Sequence, residues 1–114
     1  NSNHFVYAVI RSEKNILNLK KKIKNNCKFY KGDISNSSLI NKIINDSNKL
    51  GKNIDGLVNN AGIRLRKEFL KIDKKKIEYV FKNNFLNHFF ITQKIIKNYK
   101  KNKQKKSLSI VNIH

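Results

Sequence analysis

Ile54-Asp55-Gly56-Leu57-Val58-Asn59-Asn60-Ala61-Gly62 is the stretch on which the fold of this chain turns. A short apolar run stops at two Asn, an Ala and a Gly, so small, amide-bearing residues stand at the carboxyl end of a predicted strand. In open α/β sheets, ligands lie in the crevice outside such strand ends. Small residues admit a close backbone approach, and Asn amides offer both donors and acceptors. Asn and Gly are equally ordinary turn residues, so the flanking pattern decides between turn and site.

Working toward the amino terminus, Asn36-Ser37-Ser38 opens a predicted helix with Leu39, Ile40, Ile43 and Ile44 on one side, and Leu50-Gly51-Lys52 ends it. Cys27 to Tyr30 reads as a short strand closed by Gly32-Asp33. Before it, Ile16, Leu17, Leu19 and Ile23 recur at helical spacing behind a Ser12 cap. Phe5 to Ile10 is a continuous apolar run that suits a strand buried on both faces. Toward the carboxyl terminus come a basic loop (Arg64, Arg66, Lys67) and Asp73 as a cap. One long helix is predicted over about 74–99, with Ile77, Val80, Phe81, Phe85, His88, Phe89, Thr92, Ile95, Ile96 and Tyr99 on its buried side. This stripe is wider than one sheet contact needs, which points to a subunit interface. Leu108 to Ile113 is a last strand. The order β-α-β-α-β-α-β without a hairpin signal predicts a parallel α/β sheet with crossover helices, in one domain over residues 1–114.

The net charge of +19 raises nucleic acid as a partner. Lys supplies 23 of the 26 basic residues, and Lys, Asn and Ile together make 58 of 114, whereas Ala occurs twice and Pro never. That is the signature of A/T-rich codons. Selection for phosphate contact favours the planar fork of Arg, and Arg occurs three times. A basic, non-enzymatic α/β module that binds nucleic acid stands as the alternative, with no specific nucleic-acid partner expected. A single Cys27 excludes a disulfide framework and fits a reducing compartment; the expected location is cytoplasmic. No run reaches the roughly 18 apolar residues of a membrane span, and His4, His88 and His114 have no metal-ligand spacing.

These features in register resemble the short-chain dehydrogenase/reductase family. Its Asn-Asn-Ala-Gly follows the fourth strand, as Asn59 to Gly62 does here after Asp55-Gly56-Leu57-Val58. Gly32-Asp33-Ile34-Ser35 matches the family's acidic residue after the third strand. Asn84 lies 22 residues beyond Gly62, where the family carries an Asn within a long helix. Arg11 falls just after the second strand, and Ile110-Val111-Asn112-Ile113 matches the strand leading to the catalytic Ser.

The resemblance implies a Rossmann-type, doubly wound parallel sheet that is incomplete. The first strand with its Gly-rich turn would precede Asn1, and the catalytic Ser, Tyr and Lys would follow His114. It implies an NADP(H)-dependent oxidoreductase acting on a carbonyl. Within the family the spacing from Val6 through Asn84 is similar to that of the 3-oxoacyl-[acyl-carrier-protein] reductases of fatty-acid synthesis. Asn84 is the implied catalytic group, holding a water in the proton relay through its amide or a loosened backbone carbonyl. Arg11 would meet the 2′-phosphate, Asp33 the adenine amino group and Ile34 the adenine ring. Asn60, Ala61 and Gly62 would lie along the cofactor ribose, and Asn59 would tie neighbouring strands. Arg11 at the start of a helix and Asp33 in a turn are also ordinary surface chemistry. A homo-oligomer, tetramer or dimer, would form through the helix 74–99. The 114 residues alone are expected to be inactive, and an inactive relic of a reductase is the remaining alternative.

Overall fold

The structure, a computed structural model, describes residues 5–11, 26–60, 68–104 and 106–113. The predicted helix carrying Ile16 to Ile23 and the basic loop at Arg64 to Lys67 lie outside the described residues. The chain divides into two compact units, residues 1–53 and 54–114.

In the first unit, β1 (Val6–Ile10) pairs in parallel with β2 (Cys27–Lys31), Val6 opposite Cys27 and Ile10 opposite Lys31. The ladder is extended at both ends by Val6 N–H to the Asn26 carbonyl and Gly32 N–H to the Ile10 carbonyl, each 2.9 Å. Helix α1 (Ser37–Leu50) follows. Its start is set by Asn36, whose side chain accepts from Ser38 N–H at 3.0 Å. Gly51 in the left-handed conformation (φ 67°) ends it, its N–H and that of Lys52 closing back on the Asn48 and Ser47 carbonyls. Ile40, Ile43 and Ser47 are buried, with Ser47 Oγ returning a 2.7 Å bond to the Ile44 carbonyl.

A polar cluster ties α1 to β2. The Tyr30 hydroxyl donates to Asp46 Oδ2 at 2.7 Å, and Lys28 Nζ reaches the same oxygen at 3.2 Å. Tyr30 is only 5 % exposed. Burial first, then the hydrogen bond and charge of Asp46, drive the Tyr30 phenol well above its ordinary pKa. The same hydroxyl, followed by Lys28, holds Asp46 below the usual carboxylate range.

In the second unit, β3 (Gly56–Asn59) pairs in parallel with β4 (Ser109–Asn112), Gly56 opposite Ser109 and Asn59 opposite Asn112. The helical crossover between them begins, after a 3₁₀ turn at Phe69–Lys71, with α2 (Lys74–Phe81). Asp73 caps it, Oδ1 accepting from Lys76 N–H at 2.8 Å. A π turn over Lys82–Leu86 leads into α3 (Asn87–Lys101). Two parallel pairs, β3 and β4 joined by a helical crossover, and helix α1 after β2 make this α/β chain a partial Rossmann-type fold.

Two features of the long helix correct the sequence-based expectation. It is not one α-helix over 74–99: the π turn interrupts it, and it runs to Lys101. Its buried residues are Asn83, Asn87, Ile91, Ile95 and Asn98, whereas Ile77, Phe81, Phe85 and Phe89 are each about half exposed. The phenyl rings of Phe81, Phe85 and Phe89 stack along the helix, centroids 5.1 and 6.1 Å apart. Apolar periodicity assigns phenylalanines inward, but three of the five buried positions are Asn, which a hydropathy reading puts in water.

Candidate functional site

The carboxyl end of β3 is closed by a side-chain network. Asn59, 4 % exposed, donates from Nδ2 to Asn112 Oδ1 at 2.8 Å and to Thr92 Oγ1 at 3.2 Å. It thus ties β3 to β4 and to α3, as expected for a strand-tying Asn. The β3–β4 register makes this possible, because Asn59 and Asn112 are direct partners. Ile113 N–H then donates to the Asn59 carbonyl at 3.0 Å, so backbone and side chain of one residue hold the same corner.

Beside that corner lies an open cleft of about 280 Å³. Asn84, His88 and Thr92 form one wall at a helical spacing of four residues, with the rings of Phe85 and Phe89 and, from β4, Asn112. His88 Nε2 is buried and makes no hydrogen bond to protein among the described residues. Asn84 stands inside the π turn, where the Asn87 N–H reaches back to the Lys82 carbonyl. A π turn shifts the bonding from i→i−4 to i→i−5, and such turns recur at functional sites. Asn84 is exposed and borders the cleft; the buried member of the pair is Asn83, whose Nδ2 donates to the Tyr79 carbonyl at 2.8 Å. Asn60 follows β3 directly and is exposed. Ala61 and Gly62 lie outside the described residues.

The remaining predicted residues are in the first unit. Arg11 follows β1 and Asp33 follows β2, at the same end of the pair. Their side chains meet, Arg11 Nη2 to Asp33 Oδ2 at 3.6 Å, both more than half exposed. Asp33 Oδ1 accepts from Ser35 N–H at 2.9 Å, the turn geometry expected of Asp at this position. Ile34 occupies that turn and is half-buried. Cys27 is half-buried, and burial pushes its thiol above the ordinary value, which suits a packing residue and not a nucleophile. Among the described residues no cluster of His, Cys, Asp or Glu is arranged to hold a metal, and no helix is long and apolar enough to cross a membrane.

Thr92, Asn112 and His88 were not singled out as site residues from sequence. The signal for two of them is present: His88 and Thr92 continue the four-residue step from Asn84 along one edge of the helix.

The chain is similar to known proteins throughout its length. General stress protein 39 of Bacillus subtilis (strain 168) is 34 % identical over 71 residues, which are 61 % of this chain and 25 % of that protein. A short chain dehydrogenase/reductase of Saccharomyces cerevisiae superposes with a TM-score of 0.84 at 25 % identity, over 99 % of this chain and 44 % of its own. The serine dehydrogenase of Escherichia coli superposes at 0.79 with 23 % identity, over 96 % of this chain and 50 % of its own. The chain therefore spans half or less of these proteins. The short chain dehydrogenase family model matches residues 1–114. With the parallel pairs, the Asn-closed strand end and that match together, the chain belongs to the short chain dehydrogenase family.

Proposed function

We propose that the chain is part of a single dinucleotide-binding domain of an NADP(H)-dependent reductase acting on a carbonyl, in particular a 3-oxoacyl thioester of fatty-acid synthesis. The observation that carries this reading is Asn84 in a π turn beside a cleft at the carboxyl ends of β3 and β4. An Asn amide that borders the cleft, offering both donors and an acceptor, is the chemistry needed to hold a water in a proton relay. When bound, the dinucleotide supplies the hydride. This chain's residues would position it: Arg11 at the 2′-phosphate, Asp33 and Ile34 at the adenine, and Asn60, Ala61 and Gly62 along the ribose. The donor set fits such a ligand, since an exposed guanidinium and a turn-fixed carboxylate stand together at strand carboxyl ends.

Structural neighbours include a serine dehydrogenase complexed with NADP+ and a 4-hydroxyisoleucine dehydrogenase mutant complexed with NADH. They support either dinucleotide, so the preference for NADP rests on Arg11. The long helix would form the contact of a dimer or tetramer in the cytoplasm, with the exposed ridge of Phe81, Phe85 and Phe89 as its apolar surface.

The direct test is to express the full reading frame and follow NADPH oxidation with a 3-oxoacyl thioester. Turnover is expected with NADPH above NADH. A complete, folded protein that turns over no such substrate would remove the assignment.

A further inference from the structure

We infer that Asp33 is a specificity-determining residue that competes with the dinucleotide 2′-phosphate for Arg11, and so keeps the preference for phosphorylated dinucleotides below what Arg11 alone would confer. The inference rests on the reading that Arg11 meets that phosphate.

The geometry begins in the strand ladder. Ile10 is opposite Lys31, and Gly32 N–H donates to the Ile10 carbonyl, so the chain positions that follow on both strands leave the sheet together. Arg11 and Asp33 are those positions. Asp33 is not a freely rotating surface acid. Its Oδ1 is taken by Ser35 N–H at 2.9 Å, which turns Oδ2 toward the guanidinium, 3.6 Å from Nη2. At that separation the two charges attract without a short hydrogen bond. A phosphate dianion carries more charge and accepts two parallel N–H bonds from a guanidinium, so it outcompetes the carboxylate. It does so against two costs: part of the existing attraction is given up, and a fixed negative charge stays beside the phosphate. Both partners are solvent-exposed, which screens these terms and limits the effect to a modest factor.

The experiment uses the protein expressed from the full reading frame and two calorimetric probes, adenosine 2′,5′-bisphosphate and adenosine 5′-monophosphate. Both carry adenine, so any Asp33 contact with the base cancels in the ratio of their association constants. In Asp33→Asn the amide oxygen still accepts from Ser35 N–H while the charge is gone; Asp33→Ser is a second variant able to make the same turn. The expected result is a ratio raised about two- to fivefold in both variants, with a smaller rise when Arg11 has already been replaced by Ala. A ratio unchanged or lowered in the Asp33 variants, while Arg11→Ala still lowers it, overturns the inference and spares the reading beneath it. A ratio insensitive to Arg11→Ala overturns that reading itself.

Discussion

Neighbouring residues of one type do different work here. Asn83 is buried and returns its amide to the Tyr79 carbonyl, whereas Asn84, one position on, is exposed and borders the cleft. Asn83→Ala loses a bond worth about 1–1.5 kcal/mol and leaves a void, while roughly 0.5 kcal/mol of helix propensity is regained. A net loss near 1 kcal/mol is expected in urea denaturation. Asn84→Ala is expected to hold stability within about 0.5 kcal/mol and, in the protein from the full reading frame, to lower kcat by about 10²-fold. Equal kcat for Asn84→Ala and the unaltered protein would remove it from the relay. The Tyr30–Asp46 pair gives a second prediction at this scale. Asp46 is held low when folded, so its contribution is complete above the ordinary carboxylate range and is lost as pH falls through its folded value. Tyr30 is held high, so its contribution is complete below the ordinary phenol pKa of about 10 and is lost as pH rises through its folded value. Tyr30→Phe is expected to cost about 1–2 kcal/mol at neutral pH. That difference should shrink in acid, where Asp46 is protonated. Melting curves of both proteins across pH check it, and a pH-independent difference would sink the account.

The elements were legible wherever local chemistry and periodicity agreed. Asn36-Ser37-Ser38, the Ile40/Ile43 face and Gly51 mark α1 from start to stop, and each does what its residue type dictates. Asp73 likewise caps α2, the Leu108 to Ile113 run contains β4, and the Ile54 to Val58 run overlaps β3, which ends one residue later at Asn59. Within the site, Asn59 was legible through its place in Asn59-Asn60-Ala61-Gly62, where the resemblance implies a residue that ties neighbouring strands. The π turn was not legible, because no residue of Lys82-Asn83-Asn84-Phe85-Leu86 forbids the α-helix; a shift from i→i−4 to i→i−5 bonding is decided by tertiary packing. The buried Asn stripe was hidden as well: Asn83 bonds to the Tyr79 carbonyl one turn back, which hydropathy does not read, and the burial of Asn87 and Asn98 is decided by packing. Gly51 permits a clean test of a terminator. It has φ 67°, and a methyl group there would touch nothing within 4 Å. Gly51→Ala therefore isolates the backbone cost, expected at about 1 kcal/mol. Gly51→Asn should lose less, because Asn tolerates the left-handed region. Equal losses in thermal unfolding would mean that the αL geometry is not what the glycine supplies.

At the scale of the whole molecule, the charge of +19 competes with the site as an explanation of function. The two make opposite demands on the surface. Specific recognition of nucleic acid needs fork-like donors converging on base edges or phosphates, whereas Lys outnumbers Arg 23 to 3 and is spread along the chain. The described lysines are mostly solvent-facing; Lys71 with Glu68 and Lys74 with Glu78 form loose exposed pairs at 3.5 and 3.9 Å, and Lys28 is taken up by Asp46 at 3.2 Å. Such a surface attracts any polyanion through counterion release, with log K falling by about 0.9 per neutralised phosphate for each decade of salt. A protein making six or more such contacts loses about 10³-fold or more in affinity between 50 and 200 mM salt. The expected outcome for a labelled duplex DNA, followed by fluorescence anisotropy, is binding at low salt that is lost near about 200 mM and does not depend on sequence. Replacing duplex DNA with heparin should give the same salt dependence, because only charge density is read. Sequence-selective binding that persists at 200 mM salt would instead require a built nucleic-acid interface. It would make the basic surface, and not the Asn-closed strand end, the feature on which function rests.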